Sequence, residues 1–257
     1  MRYGLQLATV GALADPRHAV RIAAAAEEAG WEALLVWDHL AWASWGEASA
    51  DPWVTLGACA ATTERILLGT AVTPLPRRRP WMVAQQLATL SLASGGRVVF
   101  GAGSGLREER ERFGEPGGDT LRGELLDEGL DVVDRLLSGE RVDHHGGHYV
   151  VDGASLAPLP VAPIPFWIGG DSPAALRRAE RWQGWIPGGC DQERNTVSPA
   201  ALAERVAGRA FGDVCFIGYA EQADLAAYAA AGATWWIECV WGDPEQALAR
   251  VTAGPPR

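Results

Sequence analysis

Short apolar runs alternate with longer Ala- and Leu-rich stretches along the chain, and this alternation predicts eight strand–helix units. Strands are expected at Tyr3–Leu7, Ala33–Trp37, Ile66–Ala71, Arg97–Gly101, Phe166–Gly169, Gly184–Ile186, Val214–Ile217 and Thr234–Cys239. Helices are expected at Pro16–Ala29, Pro52–Thr63, Pro80–Ala93, Thr120–Leu137, Pro173–Trp182, Pro199–Ala210, Gln222–Ala231 and Pro244–Thr252. Asp15-Pro16 and Asp51-Pro52 mark helix starts, because Asp can accept from the first turn and Pro has no N–H to leave unpaired. Gly30 marks a stop. A charged loop precedes the fourth helix, and Arg141–Val151, around Gly146-Gly147, reads as a β-hairpin.

Eight such units in order imply parallel strands joined by right-handed crossovers. The expected fold is an α/β (β/α)₈ TIM barrel, a single domain over 1–257 with a hairpin insertion at about 141–151. The length of 257 residues matches the roughly 250 typical of that barrel. Two smaller domains would also fit the length, and a doubly wound open sheet is the competing arrangement. No dinucleotide fingerprint opens the first helix, which favours the barrel.

In this barrel the βα loops build the pocket, so polar groups at C-terminal strand ends are candidates for chemistry. The second strand ends in Trp37-Asp38-His39, followed by Trp42, Trp45 and Trp53 with Glu47 and Asp51. The third ends in GTAVTP (69–74), the fourth in GAGSG (101–105) and the fifth in GGDS (169–172). His39 is either an acid–base group, with Asp38 orienting it, or a satisfied core histidine. The tryptophans suit stacking on a planar ligand or packing under a long loop. Gly169, Gly170 and Ser172 stand where backbone N–H groups and a hydroxyl can meet an anion, although a helix cap explains Ser172 equally well.

Composition narrows the choices. The net charge of −10 disfavours nucleic acid, which wants a basic stripe. All 22 basic residues are Arg; without Lys there is no lysine Schiff base and no Walker-type phosphate loop. Arg77, Arg78 and Arg79 either attract an anionic tail or form a solvated loop. Cys59, Cys190, Cys215 and Cys239 lack metal-ligand spacing and read as buried free thiols. His144, His145 and His148 fall on the hairpin and read as surface histidines, so no metal site is expected. No apolar run approaches the roughly 20 residues of a membrane span, and no signal peptide is read at the N-terminus, so the cytoplasm is the expected location.

The run Leu68–Gly105, LGTAVTPLPRRRPWMVAQQLATLSLASGGRVVFGAGSG, resembles the signature stretch of the bacterial-luciferase-like flavin oxidoreductases. VWDHL (36–40), LDEGLDVVDRLLSGERVDHHGGHYVV (126–151) and PFWIGGDSPAALRRAERWQGWIP (165–187) resemble further segments of that family, and the last quarter is generic. The resemblance implies an oxidoreductase or monooxygenase on a barrel that binds FMN or the deazaflavin coenzyme F-420. It implies a non-proline cis bond at Ala71–Val72 behind the ring, a ring and phosphate segment at Gly103, Ser104 and Gly105, and a phosphate site at Gly169, Gly170 and Ser172. It places His39 beside the reactive ring. Leu106 stands where many deazaflavin-dependent relatives carry an acid, with Glu108 and Glu109 close by. Ser104 stands where luciferase has a phosphate-binding Arg, which inclines the reading towards F-420.

The partners expected are a small-molecule substrate and, as an assembly, a homodimer; neither nucleic acid nor membrane is expected. Two other functions stay open on residues alone. A non-catalytic flavin-binding barrel would lack reacting-face groups. A hydrolase would need paired strand-end carboxylates, for which Asp38 and Glu238 are the obvious acids.

Overall fold

The strands and helices follow the sequence in the order expected of a barrel. In chain order they are β1 (Arg2–Leu7), α1 (Pro16–Ala29), β2 (Ala33–Val36), α2 (Pro52–Ala60), β3 (Leu67–Thr70), β4 (Thr73–Pro74), α3 (Pro80–Ser94) and β5 (Val98–Gly103). Then come α4 (Arg107–Arg112), α5 (Asp119–Leu137), β6 (Val142–His145), β7 (Val150–Ala154), β8 (Phe166–Gly169), α6 (Pro173–Ala179) and β9 (Gly184–Ile186). The chain ends with α7 (Pro199–Val206), β10 (Asp213–Gly218), α8 (Leu225–Ala230), β11 (Trp235–Val240) and α9 (Pro244–Thr252). This computed structural model describes residues 1–41, 48–115, 117–191 and 193–256.

β1 pairs with β2 on one side and β11 on the other, and β3 pairs with β5, so eight parallel strands close on themselves. Side chains alternate across this wall with a period of two. In β11, Trp235, Ile237 and Cys239 point into the barrel, while Trp236 and Val240 join the layer between strands and helices. Trp167 and Trp235 meet edge to face at 5.4 Å inside the barrel, and the Arg2 guanidinium lies 3.9 Å over Trp235. These large side chains fill one end of the barrel, so open volume lies at the other end, beyond the strands' C-termini.

The third strand departs from its expected form. It stops at Thr70 and resumes as β4, which pairs with the end of β5 at Thr73↔Ala102 and Pro74↔Gly103. Between Gly69↔Val99 and Thr73↔Ala102 the β3–β4 side carries one residue more than β5, which makes a bulge. The Ala71–Val72 peptide within it is cis, as the resemblance implied.

The charged loop before the long helix holds an unforeseen helix, α4. Its sequence, REERER, has no apolar stripe and instead pairs Arg107 with Glu111 and Arg112 with Glu108 one turn apart. Helix α2 ends three residues earlier than expected, where the Thr62 and Thr63 hydroxyls bond back to the Cys59 carbonyl. The hairpin forms as β6 and β7 and is tied to α5 through Glu128, which accepts from His144, His148 and Tyr149.

Two glycines test this packing in opposite directions. A Cβ on Gly101 would sit 1.8 Å from the Thr70 carbonyl oxygen, a backbone atom of the neighbouring strand. Gly101→Ala is expected to cost at least about 3 kcal/mol in urea unfolding. Gly57, inside α2, has open space around its Cβ position. Gly57→Ala is expected to stabilise by roughly 0.5–1 kcal/mol in the same measurement.

Candidate active site

The C-terminal strand ends enclose a cavity of about 410 Å³, within the roughly 300–1,000 Å³ that small-molecule sites occupy. Its lining includes Asp38, His39, Ala71, Val72, Gly103, Ser104, Gly105, Gly169 and Gly170. The strand ends singled out in the sequence therefore converge on one cavity. Ser172 does not line it. That hydroxyl accepts from Ala175 N–H as the cap of α6, on an exposed turn. The Gly170 N–H donates to the Ile186 carbonyl at 3.2 Å, so it is already spoken for.

One wall of the cavity is bare backbone. At Gly103 a Cβ would approach the Val72 side chain to 2.6 Å, and at Gly169 to 2.9 Å. Val72 thus packs against two strand ends that only glycine permits. Gly105 and Gly170, at φ +82° and +114°, turn the chain where L side chains are strained.

His39 enters this cavity at the end of β2, with its ring edge-on to Trp37 at 5.1 Å. Its Nδ1 lies 3.3 Å from Oε2 of Glu109 on α4. Glu109 is almost fully buried, and its carboxylate also accepts from the Leu40 and Ala41 N–H groups and from Arg77 Nη2 at 2.5 Å. Burial alone would raise its pKa. The bonds from His39, Arg77 and the two amides outweigh that and hold it at about 2. Glu109 is therefore an ionised anchor at neutral pH and has no proton to give.

Asp38 does not orient His39 through its carboxylate as the sequence suggested. Arg78 takes both carboxylate oxygens, at 2.8 and 3.1 Å. The difference follows from the tertiary fold, which brings Arg78, from the turn after β4, against Asp38 and Glu109, from α4, against His39. Arg77 and Arg78 are likewise neither a tail-binding patch nor a solvated loop. Arg77 is buried between Glu109 and Glu115, and Glu115 passes the connection to Arg122, whose Nε donates to the Ser104 carbonyl at 2.7 Å. A continuous series of ion pairs thus joins His39 to the glycine segment of β5.

Other expectations are redistributed. Trp53 is core, packed near Phe100, and does not reach the cavity. Trp42, Trp45 and Glu47 lie outside the described residues. Among the described residues, Trp37, Trp241 and Tyr219 line the cavity. Trp241 and Tyr219 were missed because they follow strands of the generic last quarter; an aromatic just beyond a strand end was the available signal. Cys59 and Cys215 are buried structural thiols, Cys59 pushed up to about 12 by burial. Cys190 and Cys239 instead line the cavity. Glu238 points away from the mouth to Arg250 and the Trp236 indole, so Asp38 and Glu238 form no hydrolytic pair. The hairpin histidines lie apart from the cavity, although Asp143, His145 and Asp152, all exposed, bring ligand atoms within 4.8 Å of one another.

Comparison with known proteins places this geometry. Residues 3–231 match the family described as luciferase-like monooxygenase. An F-420-dependent glucose-6-phosphate dehydrogenase of Nakamurella multipartita is 37% identical over 65% of this chain and 50% of its own length. An F-420-dependent hydroxymycolic acid dehydrogenase of Mycobacterium tuberculosis is 33% identical over 73% of this chain and 53% of its own. The chain therefore spans about half the length of these curated relatives. A solved F-420-dependent secondary alcohol dehydrogenase shares the fold, with a TM-score of 0.80 at 18% identity over 96% of both chains. Among the described residues no helix is long and apolar enough to cross a membrane.

The anchor role of Glu109 has a pH signature. Its folded pKa lies below the ordinary value of 4.5, at about 2. Its stabilisation is therefore complete above about pH 4.5 and is lost as pH falls towards 2. Glu109→Gln is expected to destabilise by on the order of 3 kcal/mol at pH 7. The gap between variant and wild type in thermal unfolding should narrow steadily between pH 5 and 3.

Proposed function

Since this chain belongs to the luciferase-like monooxygenase family, we propose that it is an oxidoreductase that uses coenzyme F-420 on a small organic substrate, with His39 as its proton-handling residue. The observation that carries this reading is His39 fixed through Nδ1 by an ionised carboxylate in a cavity that is also lined by bare glycine backbone. That wall fits a flat ring system, because a Cβ at Gly103 or Gly169 would collide with Val72 and break the surface it shares with Ala71. Ala71 and Val72 back the ring in this proposal. Gly103, Ser104, Gly105, Gly169 and Gly170 line its path towards the phosphate, and Ser172 stands at the outer end with a hydroxyl proton to donate.

When bound, F-420 supplies two-electron hydride chemistry. The chain's own residues supply the rest. Glu109, ionised and acceptor-only, selects the tautomer of His39 with hydrogen on Nδ1. Nε2 is then the atom assigned to take or return the substrate proton. Arg77 keeps Glu109 ionised, and Arg122 ties the same ion-pair series to Ser104. Trp37 limits the swing of the imidazole. Asp38, held by Arg78, positions the end of β2 and does not itself handle the proton.

Titrating the apoprotein with F-420 and with FMN tests the cofactor. Saturable, tight binding of F-420 with weaker FMN binding is expected; preference for FMN overturns the deazaflavin assignment, and binding of neither overturns the function. His39→Ala is expected to keep F-420 affinity within a small factor and to lower turnover by roughly 10²–10⁴-fold. The variant should also lose the limb of the wild-type pH–rate profile that reports proton transfer to or from the substrate. Intact turnover per folded molecule would show instead that His39 serves only packing.

A further inference from the structure

The apolar and aromatic side chains of the cavity have their own chemistry. They include Trp37, Leu106, Ile217, Tyr219, Cys239 and Trp241. The Trp241 indole donates to the Tyr219 hydroxyl at 2.8 Å, and that hydroxyl donates to the Asp191 carbonyl at 3.0 Å. The Cys239 and Cys190 thiols line the same cavity beside them. The Trp241 indole and Tyr219 hydroxyl donors are thus satisfied within the protein, and the surface is largely apolar and aromatic.

Charge completes the picture. Among the described residues no Arg lines the cavity. The chain has no Lys, and segment 42–47, outside the described residues, contains no basic residue. The charges that do face the cavity are carboxylates: Asp38 held by Arg78, Asp171 held by Arg205, and Asp191 bound to the N–H groups of Glu193 and Arg194. A phosphate ester carries about −1.5 to −2 charge near neutral pH. Beside the aromatic wall it would find no Arg or Lys side chain among the described lining residues to pair with.

We infer that the substrate is an uncharged, largely apolar alcohol or carbonyl compound, and that phosphorylated sugars are excluded. This rests on the function proposed above. In the oxidising direction such an alcohol loses its hydroxyl proton to His39, and its carbinol hydrogen leaves with both bonding electrons as the hydride equivalent F-420 accepts. A C=O double bond results, and the charge and electron count balance. No step asks the protein for a cation at the substrate.

The test uses the F-420-loaded protein, so that failure to load the cofactor, which overturns the function itself, is seen before any substrate is added. Binding of cyclohexanone and of glucose 6-phosphate is then measured by calorimetry, and F-420 reduction by cyclohexanol and by glucose 6-phosphate is followed by absorbance. Saturable cyclohexanone binding is expected, with kcat/KM for glucose 6-phosphate lower than for cyclohexanol by on the order of a hundredfold or more. Leu106→Arg places a cation on the exposed rim of this wall. It should raise glucose 6-phosphate affinity at least about tenfold. Loaded protein that takes glucose 6-phosphate as well as the neutral ligands, or binds neither, overturns the substrate class.

Discussion

The buried Glu109 carboxylate is the constraint on which the site depends. A nearly inaccessible carboxylate is costly unless its lone pairs are filled, and here two backbone amides, a guanidinium and an imidazole fill them. Those partners come from different parts of the chain: the end of β2, the turn after β4 and, through Arg77, Glu115 and α5. Satisfying one charge therefore draws several barrel-mouth segments together. Removing it would leave Arg77 buried with one partner fewer, which is why the anchor is structural.

The same electrostatics divides the labour between acids and bases. An acid held at about pKa 2 serves as a fixed negative charge and not as a proton donor. The proposed proton handling is left to the neighbouring His39, whose Nδ1 this carboxylate holds. The position where many deazaflavin-dependent relatives carry an acid is Leu106 in this chain. Glu109, one helical turn further on, reaches His39 only because REERER forms α4 and turns its third residue inward.

The glycine wall answers a different demand. Gly101 and Gly69 lie so close to neighbouring backbone carbonyls that a Cβ would clash outright, and this close approach is what lets β3 break and resume as β4 beside β5. The bulge presents Val72 to Gly103 and Gly169, and a smooth surface results at the barrel mouth. The same cavity is also lined by Tyr219 and Trp241, where the Trp241 indole donates to the Tyr219 hydroxyl, so bare backbone and aromatic surface share one site.

Sequence alone determined the barrel, the hairpin, the strand ends that meet at the mouth and the position of His39. Those depend on local periodicity, on Asp–Pro and Gly punctuation and on the rule that βα loops gather at one end. It also determined what chemistry was unavailable, since a chain without Lys cannot form a lysine Schiff base wherever it folds. Tertiary structure alone decided which charges meet. That Asp38 faces Arg78, that Glu109 faces His39 across seventy positions, and that Trp53 goes to the core while Trp241 goes to the cavity leave no periodic trace. Ion pairs over such separations depend on side-chain direction at the ends of elements, and that direction is set by packing between segments distant in sequence.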